Sequence, residues 1–164
     1  MEPITVLIAD DPSLFRAGLV SMLEAEHDIK VVGLASEIIE AADKARELKP
    51  QVILSDVRLK GYDSLKSMLE IRESLPATAI VILTESEQED DVFRAFAYGA
   101  QGYLLKSCSK SDLVRAVKKA ASGEMMLSES IASRLVKELH DRASLPRCCD
   151  RAMTLNASAA WEIG

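Results

Sequence analysis

Val6-Leu7-Ile8-Ala9-Asp10-Asp11 is an aliphatic run closed by two acids, and the same arrangement returns in Val52-Ile53-Leu54-Ser55-Asp56. A strand with one face in water alternates apolar and polar residues. These runs are continuously apolar and rich in β-branched residues, so they read as strands covered on both faces, as in a parallel sheet. The strand-like runs span 5–9, 30–35, 51–55, 79–83 and 102–105, five in all. Between them apolar residues fall at helical spacing: Leu14, Phe15, Leu19, Met22 and Leu23, then Ile38, Ala42 and Ala45, then Leu65, Met68 and Leu69. Each such stretch can lay one apolar face on a sheet. Ser36, Ser64 and Ser109 stand as N-cap candidates, and Gly99 and Gly123 lie where helices should stop. Strand and helix thus alternate five times, which calls for right-handed crossovers and helices on both sides of the sheet. The expected fold is a doubly wound α/β sandwich around a five-stranded parallel sheet.

Beyond the fifth unit, residues 128–140 read as a further helix, with Ile131, Leu135 and Leu139 on one stripe. It could pack on its own domain or serve as a linker or dimerising helix. From Asp141 the regularity fails, and the 24 residues of 141–164 cannot build a core of their own. The expected organisation is therefore one domain over 1–123, a linker helix in 124–140 and an irregular tail in 141–164.

Composition agrees with one domain and an appendage. A chain of 164 residues leaves no room for a second full domain. At this length roughly 70% of the unfolded surface can be buried, so with 48% hydrophobic residues neither metal nor disulfide is needed for folding. The net charge of −6 argues against a globally basic nucleic-acid-binding surface. Cys108, Cys148 and Cys149 are odd in number and two are adjacent, unlike a disulfide framework; a reducing cytoplasm is the expected compartment. Met1-Glu2-Pro3-Ile4 lacks the basic and apolar parts of a signal peptide, and the aliphatic run 79–83 is too short for a membrane span.

In an open parallel sheet ligands bind outside the carboxyl ends of the strands. The first strand ends in Asp10-Asp11, the third in Asp56, the fourth in Thr84 and the fifth in Lys106, with Tyr103 three residues before that lysine. Carboxylates gathered there repel one another unless a cation neutralises them. An oxygen-only donor set selects a hard ion, and a few carboxylates with open water positions suit Mg2+ better than an all-protein Ca2+ cage. A carboxylate beside Mg2+, a lysine and a hydroxyl suits phosphoryl transfer, because metal and ammonium offset the charge of the moving group. A lone Asp after a strand is ordinarily a cap or turn residue. Four such features at four strand ends are not explained that way.

With these segments, including Ile80-Val81-Ile82-Leu83-Thr84 and Gly102-Tyr103-Leu104-Leu105-Lys106, residues 4–123 resemble the receiver domain of two-component response regulators. The Gly-Tyr-Leu-Leu-Lys ending, the Ser122-Gly123-Glu124-Met125 stretch and the helix after Ser128 are most similar to the nitrate-response, LuxR-like subgroup. The resemblance implies a flavodoxin-like sheet of order 2-1-3-4-5. It implies that Asp56 is the phosphoacceptor for a sensor histidine kinase, forming an acyl phosphate. Asp10, Asp11, Asp56 and the backbone carbonyl of Arg58 would hold Mg2+. Lys106 and Thr84 would each take a phosphoryl oxygen, Tyr103 would turn inward as the switch, and Arg58 and Ser86 would tune dephosphorylation. Such a protein is a phosphoacceptor rather than a turnover enzyme, and a homodimer on phosphorylation is a further expectation, as is control of transcription in a parent full-length protein.

The chain also departs from the family pattern. Leu59-Lys60-Gly61 lacks the proline common after the phosphoacceptor, and Lys106-Ser107 replaces the usual Lys-Pro. Glu85 adds negative charge where small residues are common, and with Glu87, Glu89, Asp90 and Asp91 it forms an acidic helix start. After His140 no helix-turn-helix can be placed, which argues against DNA binding by this chain. A truncated or altered DNA-binding regulator and a stand-alone receiver acting through protein partners both fit. A Mg2+-dependent aspartyl phosphatase is a competing class, although Asp10-Asp11-Pro12 breaks its usual Asp-x-Asp. A flavodoxin-like cofactor binder lacks the glycine loop it would need, and a receiver-like domain that is never phosphorylated would not need the complete set.

Overall fold

A computed structural model describes residues 2–10, 14–56, 64–85, 92–127 and 129–143. Strand and helix alternate throughout: β1 (Ile4–Ala9), α1 (Leu14–Glu24), β2 (Ile29–Ala35), α2 (Ile38–Leu48), β3 (Val52–Asp56) and α3 (Ser64–Ser74). They continue as β4 (Ala79–Thr84), α4 (Val92–Ala97), β5 (Gly102–Leu105), α5 (Lys110–Ala121), β6 (Met126–Leu127) and α6 (Glu129–Ala143). The strands form one sheet in the order β2-β1-β3-β4-β5-β6, and every pairing is parallel.

Alternation along the strands sorts the core into two layers. Val6, Ile8, Val52, Leu54, Val81, Leu83 and Leu104 face α1 and α5, where Leu19, Leu23, Leu113 and Val117 meet them. Leu7, Ile53, Ile80, Ile82 and Tyr103 face the opposite way, against Ala45 of α2, Met68 and Ile71 of α3, Ala95 of α4 and Ile131 of α6. Both strand faces are buried, so the apolar runs are continuous rather than alternating.

Some boundaries differ from the sequence reading. The five-stranded expectation becomes six, because Met126 and Leu127 pair with Gly102 and Tyr103. Two residues carry no readable period, and this strand is held by backbone, with Met126 N–H donating to the Gln101 carbonyl at 3.0 Å. Ser36 is not the cap of α2. Glu37 takes that place, while Ser36 Oγ accepts from Arg16 Nη1 at 3.1 Å. Ser109 does cap α5, accepting from Asp112 N–H at 3.1 Å. α3 begins at Ser64 itself. Gly99 and Gly123 follow α4 and α5 with φ of 103° and 88°, the left-handed region where a Cβ is strained. α6 runs three residues past the expected end at His140, to Ala143. Asp141, Arg142 and Ala143 are tolerable helix residues, and the proline at 146 lies beyond them.

The stripe of Ile131, Leu135 and Leu139 is divided. Ile131 is fully buried in the layer with Tyr103, Leu135 is half-buried, and Leu139 is exposed. Ile131→Ala is expected to cost about 2–5 kcal/mol of unfolding free energy in urea, the range for emptying a buried Ile site. Leu139→Ala should stay within about 0.5 kcal/mol of the parent. Amide exchange along α6 should accelerate in the first variant only.

Candidate functional site

Strand register brings the chemistry together. Ile8 and Ala9 pair with Leu54 and Ser55, so Asp10 stands across from Asp56 at the carboxyl edge. Asp56 pairs with Leu83, and Thr84 pairs with Leu105, which sets Lys106 just beyond the same edge. Backbone hydrogen bonds fix the last steps: Asp10 N–H donates to the Ala35 carbonyl at 3.0 Å, and Lys106 N–H to the Thr84 carbonyl at 2.6 Å.

From that anchor the Lys106 ammonium reaches both acids. Nζ lies 2.8 Å from Asp56 Oδ2 and 3.1 Å from Asp10 Oδ1. The three side chains are 12%, 13% and 3% exposed, so this is a nearly desolvated group in which charge interactions are strong. Burial pushes the Asp10 carboxyl above its ordinary range, hydrogen bonding with Asp56 adds to the rise, and Lys106 opposes it. Burial alone would depress the Lys106 ammonium. Hydrogen bonds and charge from Asp56 and Asp10 together outweigh it and hold the lysine above its usual value.

Thr84 closes β4 and is buried, so its hydroxyl-bearing residue sits on the same edge. Tyr103 is also fully buried, its ring 6.2 Å from that of Phe96 at an interplanar angle of 37°. The expected inward turn of Tyr103 therefore has no outward starting position in this structure. Glu85 is exposed. Asp11, Arg58 and Ser86, together with Glu87, Glu89, Asp90, Asp91 and the loop at 59–61, lie outside the described residues.

The donor chemistry fits a hard divalent ion. Asp10 and Asp56 supply carboxylate oxygens that converge on one cation already, and the raised Asp10 carboxyl marks a place where added positive charge is welcome. Among the described residues, no cluster of three or more His, Cys, Asp or Glu side chains is placed to hold a metal.

Two neighbours were not singled out from the sequence as site residues. Arg16 Nη1 donates to the Asp10 carbonyl at 3.4 Å as well as to Ser36, tying α1 to the ends of β1 and β2. Lys106 Nζ lies 4.9 Å from the centroid of the Phe15 ring. Both residues stand in the first turns of a helix that follows a ligand-bearing strand end, and that position is the signal that could have found them.

Comparison with known proteins adds family to geometry. The response regulator receiver domain family matches residues 6–118. The nitrate/nitrite response regulator NarL of Escherichia coli K12 is 37% identical over 147 residues, covering 89% of this chain and 68% of that protein. VraR of Staphylococcus epidermidis is 35% identical over 142 residues, covering 87% and 68%. Among solved structures, the receiver domain of the NarL-like regulator of Mycobacterium tuberculosis aligns with a TM-score of 0.72 at 30% identity, over 76% of this chain and all of that one. A LuxR-family regulator from Aurantimonas gives 0.77 at 28%, over 84% and 98%.

Because the fold holds Asp10 above its ordinary range, it favours the protonated acid. That contribution is fully present at pH below the usual carboxylate range and is lost as pH rises through the raised value. Asp10→Asn, neutral throughout, should therefore be more stable than the parent at neutral pH. Urea unfolding at neutral pH and in acid measures this, and the advantage should shrink in acid.

Proposed function

The chain belongs to the response regulator receiver domain family, and from that premise we propose that Asp56 accepts a phosphoryl group from a sensor histidine kinase and thereby switches the domain's surface. The observation that carries this reading is the Lys106 ammonium within 2.8 Å of Asp56 and 3.1 Å of Asp10 at one sheet edge. An Asp56 oxygen attacks phosphorus, the bond to the donor nitrogen breaks, and an acyl phosphate results. Receiver domains of this family generally use Mg2+. Here Asp10 and Asp56 would hold it, with Asp11 and the backbone carbonyl of Arg58 as further ligands, and the ion supplies positive charge against the phosphoryl oxygens.

The chain's own groups divide the remaining work. Lys106, fixed through its backbone to Thr84, exchanges one anionic partner for another when Asp56 becomes phosphorylated, so its charge stays compensated. Thr84 lies beside it to donate its hydroxyl to a phosphoryl oxygen. Tyr103, on the neighbouring strand and packed with Phe96 and Ile131, reports the rearrangement to α4 and α6. Arg58 and Ser86 tune the lifetime of the acyl phosphate. The protein works as a stoichiometric phosphoacceptor rather than a turnover enzyme, and in a full-length regulator the switch controls transcription. Among the described residues no helix is long and apolar enough to cross a membrane, and the proposed compartment is the cytoplasm.

Incubation with Mg2+ and a small phosphoryl donor should add one phosphoryl group by intact mass, with none on Asp56→Asn and no sustained turnover of a phosphoester. An unmodified parent with its fold intact would refute the acceptor role. Phosphorylation should also raise the mass seen by light scattering toward that of a homodimer. A monomer in both states removes dimerisation from the mechanism.

A further inference from the structure

We propose that Phe15 is a positioning residue that holds the Lys106 ammonium over the acceptor through the face of its ring, an inference that rests on the phosphoacceptor reading of Asp56. The ring is half-buried, packed at the start of α1 against the layer that α1 shares with α5. Nζ lies 4.9 Å from its centroid, inside the distance at which the negative face of a phenyl ring attracts a cation.

Lysine needs such a holder. Its four-carbon stem is flexible, and two carboxylates alone leave the ammonium bound only from their side. The ring attracts from a third direction. It makes this contribution without accepting a full hydrogen bond and without adding negative charge, so it does not compete when an anionic phosphoryl group replaces a carboxylate as the partner of Nζ. The ring also keeps an apolar surface against an ammonium only 12% exposed, which preserves the low local dielectric in which that charge acts. A leucine at position 15 would fill much of the same space but offer no quadrupole. Position rather than bulk is therefore what the aromatic supplies.

The test uses the full chain with Phe15→Leu and Phe15→Tyr. In the parent, ring current should move the Lys106 ε-methylene proton resonances upfield of ordinary lysine, with Lys106→Arg giving the assignment. The shift should vanish in Phe15→Leu and persist in Phe15→Tyr. With Mg2+ and a small phosphoryl donor, Phe15→Leu should modify Asp56 about two- to fivefold more slowly, the factor expected of a partly exposed cation–π contact, and Phe15→Tyr should recover the parent rate. An unshifted Lys106 signal in the parent, or a Phe15→Leu rate equal to the parent's, overturns the proposal. A loss of rate in both variants alike means a packing role and also overturns it. If the parent shows the shifted signal yet gains no phosphoryl group, the acceptor reading fails while the contact itself stands, and the positioning role falls with that reading.

Discussion

One ammonium serving two nearly desolvated carboxylates is the constraint on which the carboxyl edge of the sheet depends. Asp10 and Asp56 are brought face to face by strand register, an arrangement that water would otherwise have to screen. Lys106 offsets it from a different strand, at 3.1 and 2.8 Å. The balance is incomplete, because Asp10 still holds its proton more tightly than a free carboxyl. A site built this way is poised for more positive charge or for the removal of one negative charge. A divalent ion would bring the first, so the residual imbalance is of use to the proposed function and costs stability in the meantime.

The strands were legible in the sequence because burial on both faces writes itself as continuous aliphatic runs, and β1 through β5 were each located to within one residue. Asp10, Asp56, Thr84 and Lys106 were legible because a strand end is a fixed place relative to its neighbours once the sheet is known to be parallel. What escaped was set by backbone or by tertiary contact. β6 is two residues held by a backbone ladder. Ser36 looked like a cap, but Arg16 takes its hydroxyl. Phe15 read as one more apolar residue on a helical stripe, and nothing in a periodicity shows that its ring lies beside an ammonium 91 positions later.

α6 illustrates the same limit from another side. A stripe of Ile131, Leu135 and Leu139 was equally consistent with self-packing and with a free linker, and the structure contains some of each. Ile131 enters the layer that holds Tyr103 and Ala95, while Val136 and Leu139 stay 64% and 51% exposed. The register of β6 explains why. By pairing Leu127 with Tyr103, it delivers the chain to the sheet two residues before α6 begins, so only the first turns of the helix can reach the core.

That geometry connects the edge chemistry to α6 through contiguous groups. Lys106 hangs from the Thr84 carbonyl, Tyr103 lies three residues back on the same strand, and Ile131 packs in the layer that buries Tyr103. Contiguity alone does not make a switch; an element with two arrangements is also required. Among its described side chains α6 buries only Ile131 fully and keeps Val136 and Leu139 in water, the packing expected of elements that open at low free-energy cost. The strands beneath it, buried on both faces, belong to the opposite extreme. In the proposed switch, a change of charge at Asp56 would therefore reach α6 through Tyr103 and Ile131 while the doubly covered strands hold their places.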